Sequence, residues 1–248
     1  MPTDASEPKD RLILSIHIQK TAGTRFGEIL RRRHGAGFAL YYGADDERTH
    51  PMLRVPPQDV TADRLNALAE SGITCLHGHI RARALLKACP DPKQYYVFVR
   101  EPIEQTLSRY HFVRSLPDGG MMHARMREND YSIDEFVQLP AIKNFQSKYI
   151  EPLDPQKIGF LGVTELFDPM ISLLNLTDTS HRANVNTKKP VVDLATRARM
   201  TAHLSEDLAL YSLAMELAIR RLGFRETKRQ ARYKHSIAHL ARRFGAPV

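Results

Sequence analysis

Residues Leu14–Phe26 read LSIHIQKTAGTRF. The first residues are apolar and β-branched, the composition of a strand buried on both faces of a parallel sheet. The run then breaks into Lys20-Thr21-Ala22-Gly23-Thr24, and RFGEILRRRH continues as a helix that Gly35 stops. A strand that feeds a helix through a short loop turns the first backbone N–H groups of that helix toward one point, a ready site for an anion. Gly23 permits close approach, Lys20 adds a cation, and Thr21 and Thr24 add hydroxyl donors. The bland alternative is a strand–helix turn capped by a threonine.

The same alternation continues outward. RLILSIHI (11–18), ITCLHG (73–78), QYYVFVR (94–100) and IGFLGV (158–163) read as four strands. Helices are expected after each: from Thr24, over RARALLKAC to Pro90, from Pro102 in a first turn that favours proline, and around PMISLLNL. Asp63–Glu70 reads as a short helix, and SIDE at Ser132–Glu135 is a capping box. The last clear helix opens at Ser205, with Leu208, Tyr211, Met215, Ala218 and Leu222 on one stripe and Gly223 as its stop. Strands alternating with helices imply an α/β fold with a parallel β-sheet flanked by helices. Gly37–Pro57 shows no period and reads as loop. Ligands in such sheets bind at the carboxyl ends of the strands, and Lys20, His79 and Arg100 all lie just past strand ends.

The chain has 248 residues, 42% hydrophobic, which suits one α/β domain, expected over 11–224. Residues 1–10 are polar and read as a disordered N-terminus, and 225–248 as a basic C-terminal helix or tail. The net charge is +8, which favours an anionic partner. Seven Lys or Arg against one Glu fall between Arg225 and Arg243, a run that equally suits a solvated helix. Two cysteines, Cys75 and Cys89, exclude a small disulfide scaffold and give no zinc spacing. No apolar run of about 18 residues occurs, so the expectation is a soluble, cytoplasmic protein with no membrane span.

Nucleoside-triphosphate enzymes present G-x-x-x-x-G-K-[ST], but no Gly of this chain is followed by Lys. That argues against an ordinary kinase on a related fold. A nucleic-acid-binding protein using the tail would want aromatics among the cations, and the tail offers only Tyr233 and Phe244. The second informative element is FVREPIEQTLSRY. Arg100 leaves a strand with a planar fork suited to phosphate, and Ser108 follows eight residues on, near two turns into the helix. The simpler account pairs Arg100 with Glu101 or Glu104.

HIQKTAGT closely resembles the HIPKTAGT loop of Golgi-type carbohydrate sulfotransferases, especially the heparan sulfate 2-O- and 6-O-sulfotransferases. VREPIEQTLSRY resembles their Arg-Asp-Pro-x-x-Arg signature with Ser and then Tyr. HGHI (77–80), NFQSKYI (144–150) and GVTELFDPMISLL (162–174) match further stretches in the right order. Gln19, Arg25, Glu101 and Gln105 depart from the usual Pro, Ser, Asp and Arg.

The resemblance implies a P-loop nucleotide-kinase-like sulfotransferase fold. It also implies 3′-phosphoadenosine-5′-phosphosulfate (PAPS) as sulfuryl donor, with no metal. Lys20, Thr21, Ala22, Gly23, Thr24 and Arg25 would hold the 5′-phosphosulfate, and Arg100 and Ser108 the 3′-phosphate. Lys188 and Lys189, in the loop HRANVNTKKP, would close over that phosphate, unless the loop is simply exposed and charged. His79 would be the base, and His77 would orient the acceptor or tune His79. The alternative is two histidines bonding loop backbone. Asn144 and Gln146, with Lys148 nearby, could touch nucleotide or acceptor, or be surface polar residues. The acceptor would be a carbohydrate or another small hydroxyl compound, chosen by Gly37–Pro57 and Pro117–Asp130. No nucleic acid is expected, and oligomeric state is open.

Overall fold

The structure is a computed structural model and describes residues 12–115, 120–177 and 192–223. Five strands form one all-parallel sheet: β1 (Ile13–Ile16), β2 (Phe38–Tyr41), β3 (Cys75–Gly78), β4 (Tyr95–Val99) and β5 (Phe160–Val163). Their order across the sheet is β2-β3-β1-β4-β5. Among the described residues, α-helices connect or flank them: α1 (Gly23–His34), α2 (Ala62–Glu70), α3 (Ala82–Leu85), α4 (Pro102–Ser115), α5 (Gly120–Asn129), α6 (Ile133–Gln138), α7 (Ser147–Ile150), α8 (Phe167–Ser172), α9 (Leu194–Thr201) and α10 (Ser205–Arg221).

The two edges of the sheet differ: β5 is covered by helices, and β2 is less enclosed. β1, β3, β4 and β5 are almost wholly buried, whereas β2 alternates half-buried and buried residues, as an edge strand does. α1 covers the sheet with Phe26, Ile29 and Leu30, one helical stripe. The Phe26 ring lies 4.9 Å from Phe98 and 5.8 Å from Phe160, so it seals α1 over β4 and β5. α8 and α10 pack against β5. Among the described residues, no helix is long and apolar enough to cross a membrane.

Several sequence expectations change. The region 37–57 is not all loop, because Phe38–Tyr41 pairs in parallel with Phe38 opposite Cys75 and Tyr41 opposite Gly78. The helix expected over RARALLKAC shrinks to Ala82–Leu85. In α10 the fully buried positions are Asp207, Leu210, Ala214 and Ala218, a stripe set beside the expected one, with Tyr211, Met215 and Leu222 at its flank. The capping box at Ser132 and Glu135 is present. The N-terminal segment 1–10, the basic tail and the loop with Lys188 and Lys189 lie outside the described residues.

The topology fixes where a ligand fits. From β1 the chain crosses toward β2 on one side, and from β4 it crosses to β5 on the other. Adjacent strands whose connections leave in opposite directions open a crevice at their carboxyl ends. Here that crevice lies between β1 and β4, so the loop after β1 and the residues after β4 face each other across it.

Candidate functional site

The loop after β1 is held in an uncommon backbone conformation. Lys20 and Ala22 have φ of 68° and 64°, left-handed values that non-glycine residues seldom adopt. The surrounding structure enforces them from three sides. Gln105 on α4 donates to the Gln19 carbonyl at 2.9 Å, and Arg100 Nη1 to the Lys20 carbonyl at 3.2 Å. The Thr164 hydroxyl lies 3.0 Å from the carbonyls of both Thr21 and Val99, tying the loop to the ends of β4 and β5.

This settles how α1 begins. Its N-cap is Ala22, with no side-chain cap. Thr21 is buried and spends its hydroxyl on the Ile18 carbonyl at 2.9 Å, and Thr24 is exposed. The threonine-capped turn is therefore not what forms. The first-turn amides of Gly23 and Thr24 have no intrahelical acceptor, and they follow directly on the loop at the carboxyl end of β1. Lys20 stands beside them, half-buried, its Nζ 4.3 Å from the centre of the Phe112 ring. Burial, then the charge of Arg100, lowers its pKa. Arg25 turns elsewhere: its guanidinium lies over Phe167 and meets Asp168 at 2.6 Å.

Arg100 does not pair with the glutamates of its own helix. Glu101 instead accepts from the Glu104 amide at 2.7 Å, and Glu104 meets Arg197. The backbone of Arg100 is clamped by Gln146, whose side chain accepts from its N–H and donates to its carbonyl, each at 2.9 Å. Gln146 is fully buried, so it positions Arg100 from beneath and is not placed to touch a ligand. Asn144 is likewise buried and accepts from the Glu206 amide at the start of α10. Lys148 is spent on the carbonyls of Pro140 and Lys143. Ser108 is half-buried on α4 with no hydrogen bond among the described residues.

The histidines separate into different roles. His77 is buried inside β3, bonded through Nδ1 to the Ser15 hydroxyl at 2.8 Å. His79, just past the strand end, is half-buried. A third imidazole, His17, lies between them, with ring centres 5.1 Å from His77 and 4.5 Å from His79. Tyr42, one residue past β2, stands edge-on to His79 at 4.7 Å, its hydroxyl 3.2 Å from His17 Nδ1. Nε2 of His77 and of His79 is enclosed without a partner among the described residues.

Burial, reinforced by the neighbouring imidazoles, lowers His17 to about 2 and His77 to about 3. Burial first, then the Arg48 charge, lowers His79 to about 4. All three are neutral imidazoles near pH 7. α1 makes room for them with glycine. A Cβ on Gly23 would fall 1.9 Å from His17 Cδ2, and one on Gly27 2.6 Å from His77 Nε2.

Nothing in the local sequence pattern distinguishes His17 and Tyr42. His17 passed as one residue of a strand, and Tyr42 reaches the site only because β2 exists. No group of acidic, His and Cys residues among those described could hold a metal ion. No family model matches the chain, and no curated protein matches it.

Proposed function

We propose that the chain is a PAPS-dependent O-sulfotransferase, related in its signatures to the heparan sulfate 2-O- and 6-O-sulfotransferases and carrying their nucleotide-kinase-like fold. One observation carries the reading. At the β1/β4 crevice, uncapped amides of α1, Lys20 and Arg100 converge, with an unpartnered neutral imidazole, His79, past the end of the neighbouring strand.

The donor supplies a sulfuryl group on a 5′-phosphate, next to a 3′-phosphate. The residues present fit two such anions. Gly23 and Thr24 amides with Lys20 suit the first, because they concentrate positive potential where charge develops on a leaving phosphate oxygen. Arg100 and Ser108 suit the second, since Arg100 has N–H groups beyond the one given to Lys20 and Ser108 has a free hydroxyl. His79, neutral, takes the proton of the acceptor hydroxyl on a ring nitrogen. Nε2 is enclosed and Tyr42 stands edge-on to the ring, so acceptor entry needs movement around His79, beside the loop after β2. His77 supports His17 from behind.

The test is ligand-induced stabilisation. Adenosine 3′,5′-bisphosphate raises Tm without magnesium, and ATP with magnesium raises it much less. The reverse order would favour a nucleotide-dependent kinase.

A further inference from the structure

Asp207, in the first turn of α10, is 1% exposed, and no cation lies within ion-pair distance of it among the described residues. Burying a carboxylate without a counter-charge is costly unless hydrogen bonds replace the lost water. One oxygen of Asp207 accepts from the Gln146 N–H at 3.0 Å. The other accepts from the Ser147 N–H at 2.7 Å and from the Ser147 hydroxyl at 2.8 Å. Burial raises the pKa of Asp207, and these donors pull it back down.

The contact runs both ways. Asn144, held at φ 49°, accepts from the Glu206 N–H at 3.2 Å, so each segment caps the start of the other. α7 depends on this, because its four residues are too few to hold a helix alone, and Gln146, its N-cap, supplies no side-chain cap. Gln146 spends its side chain on Arg100 instead, clamping N–H and carbonyl at 2.9 Å each. A side chain bonded to both backbone groups of one residue cannot shift without moving that residue. Arg100 in turn holds the Lys20 carbonyl at 3.2 Å, where the loop is left-handed.

We propose that Asp207 is a positioning residue for the anion site: it fixes Gln146, Gln146 sets Arg100, and Arg100 steadies the Lys20 loop. A neutral side chain would join α10 to α7, but a carboxylate fixes two adjacent N–H groups at once with charge-assisted bonds. The proposal makes α10, remote in sequence from both signatures, part of the donor site. It rests on the sulfotransferase reading for the identity of the ligand, but not for the link itself.

The test has one arm without ligand and one with it, both on the full chain. In Asp207→Asn the new amide turns N–H against N–H at Gln146 or Ser147. Hydrogen exchange followed by NMR then shows the Arg100 amide exchanging faster, while the amides inside β4 keep their rates. Adenosine 3′,5′-bisphosphate and adenosine 5′-phosphate are titrated next. Asp207→Asn loses about tenfold of the preference for the bisphosphate, the scale of one weakened charge-assisted contact. In an Arg100→Ala background it loses nothing further. Ala218→Gly loosens α10 three turns away; it lowers Tm and leaves the preference intact. Coupling is reciprocal, so in the wild type the bisphosphate slows exchange at Gln146 and Ser147 more than the monophosphate does. That arm decides the matter if Asp207→Asn does not fold. Unchanged Arg100 exchange and preference in folded Asp207→Asn, or an equal loss of preference in Ala218→Gly, would overturn the proposal. A wild type that binds neither nucleotide counts against the donor reading, and the ligand-free exchange still decides the link.

Discussion

At the scale of single residues, the account rests on where charge and protons sit. Lys20 is half-buried in the loop after β1, and its ammonium contacts one aromatic ring and no carboxylate among the described residues. Lys20→Ala should therefore lower kcat by about 10²-fold or more, the scale of a lost electrostatic donor, while stability shifts by only about 0.5 kcal/mol. Turnover assays on the folded variant check this, and unchanged kcat removes Lys20 from the chemistry. His79→Ala should cost ~10²–10⁴-fold in kcat with bisphosphate affinity retained. An imidazole held near 4 stays basic through neutral pH, so the acidic limb of kcat/KM falls near pH 4 and not near 6.5. The limb disappears in His79→Ala. If it persists there and is lost in His17→Ala, His17 is the base.

Lys20 and Arg100 were legible in the sequence because each follows a recognisable strand, and strand ends converge in a parallel sheet. Asn144 and Gln146 were legible as important but not as scaffold. Nothing local says that a glutamine amide will close on the backbone of a residue 46 positions away. His17 and Tyr42 acquire meaning only from tertiary neighbours.

At the scale of elements, the pairing of α1 with β1 and β3 depends on two glycines one turn apart. Gly23 and Gly27 leave a notch that the rings of His17 and His77 fill. Gly23→Ala should cost about 1–3 kcal/mol through overpacking and break the His17–Tyr42 hydrogen bond, because the imidazole must rotate away. Denaturant unfolding measures the first effect and histidine NMR the second. An unchanged midpoint would mean that α1 moves off the sheet without penalty. β1, α1, β4 and α4 were readable because long apolar runs, a proline in the first turn and glycine stops agree. β2 was not. Phe38-Ala39-Leu40-Tyr41 is four residues long, half-buried as an edge strand is, and set among glycines and charges that read as loop. Its existence is decided by β3, which offers it an edge. α3 was overread for a related reason: an apolar run after a strand resembles a helix even when only its first turn is helical.

At the scale of the whole molecule, three neutral imidazoles, two buried and one half-buried, couple folding to pH. Each has a folded pKa below its unfolded value of about 6.5, so the unfolded chain binds the extra protons, and stability rises with pH across the window. The contribution is complete above about 6.5. It is lost as pH falls toward 4 for His79, 3 for His77 and 2 for His17. The slope between pH 6 and 4 approaches about 1.4 kcal/mol per pH unit for each histidine that stays neutral in the fold. His77→Gln should reduce that slope by one proton in urea titrations at several pH values. A slope that does not change would mean that His77 is protonated in the folded protein.

The central claim, that the β1/β4 crevice binds a nucleotide with phosphates at both 3′ and 5′ positions, is tested most directly by calorimetry in magnesium-free buffer. Adenosine 3′,5′-bisphosphate and adenosine 5′-phosphate are titrated into the wild type and into Arg100→Ala. The account predicts that the wild type prefers the bisphosphate. It also predicts that Arg100→Ala loses roughly 2–3 kcal/mol for the bisphosphate, the scale of a charge-assisted contact, and little for the monophosphate. Equal losses for both ligands, or no bisphosphate binding by the wild type, would contradict it.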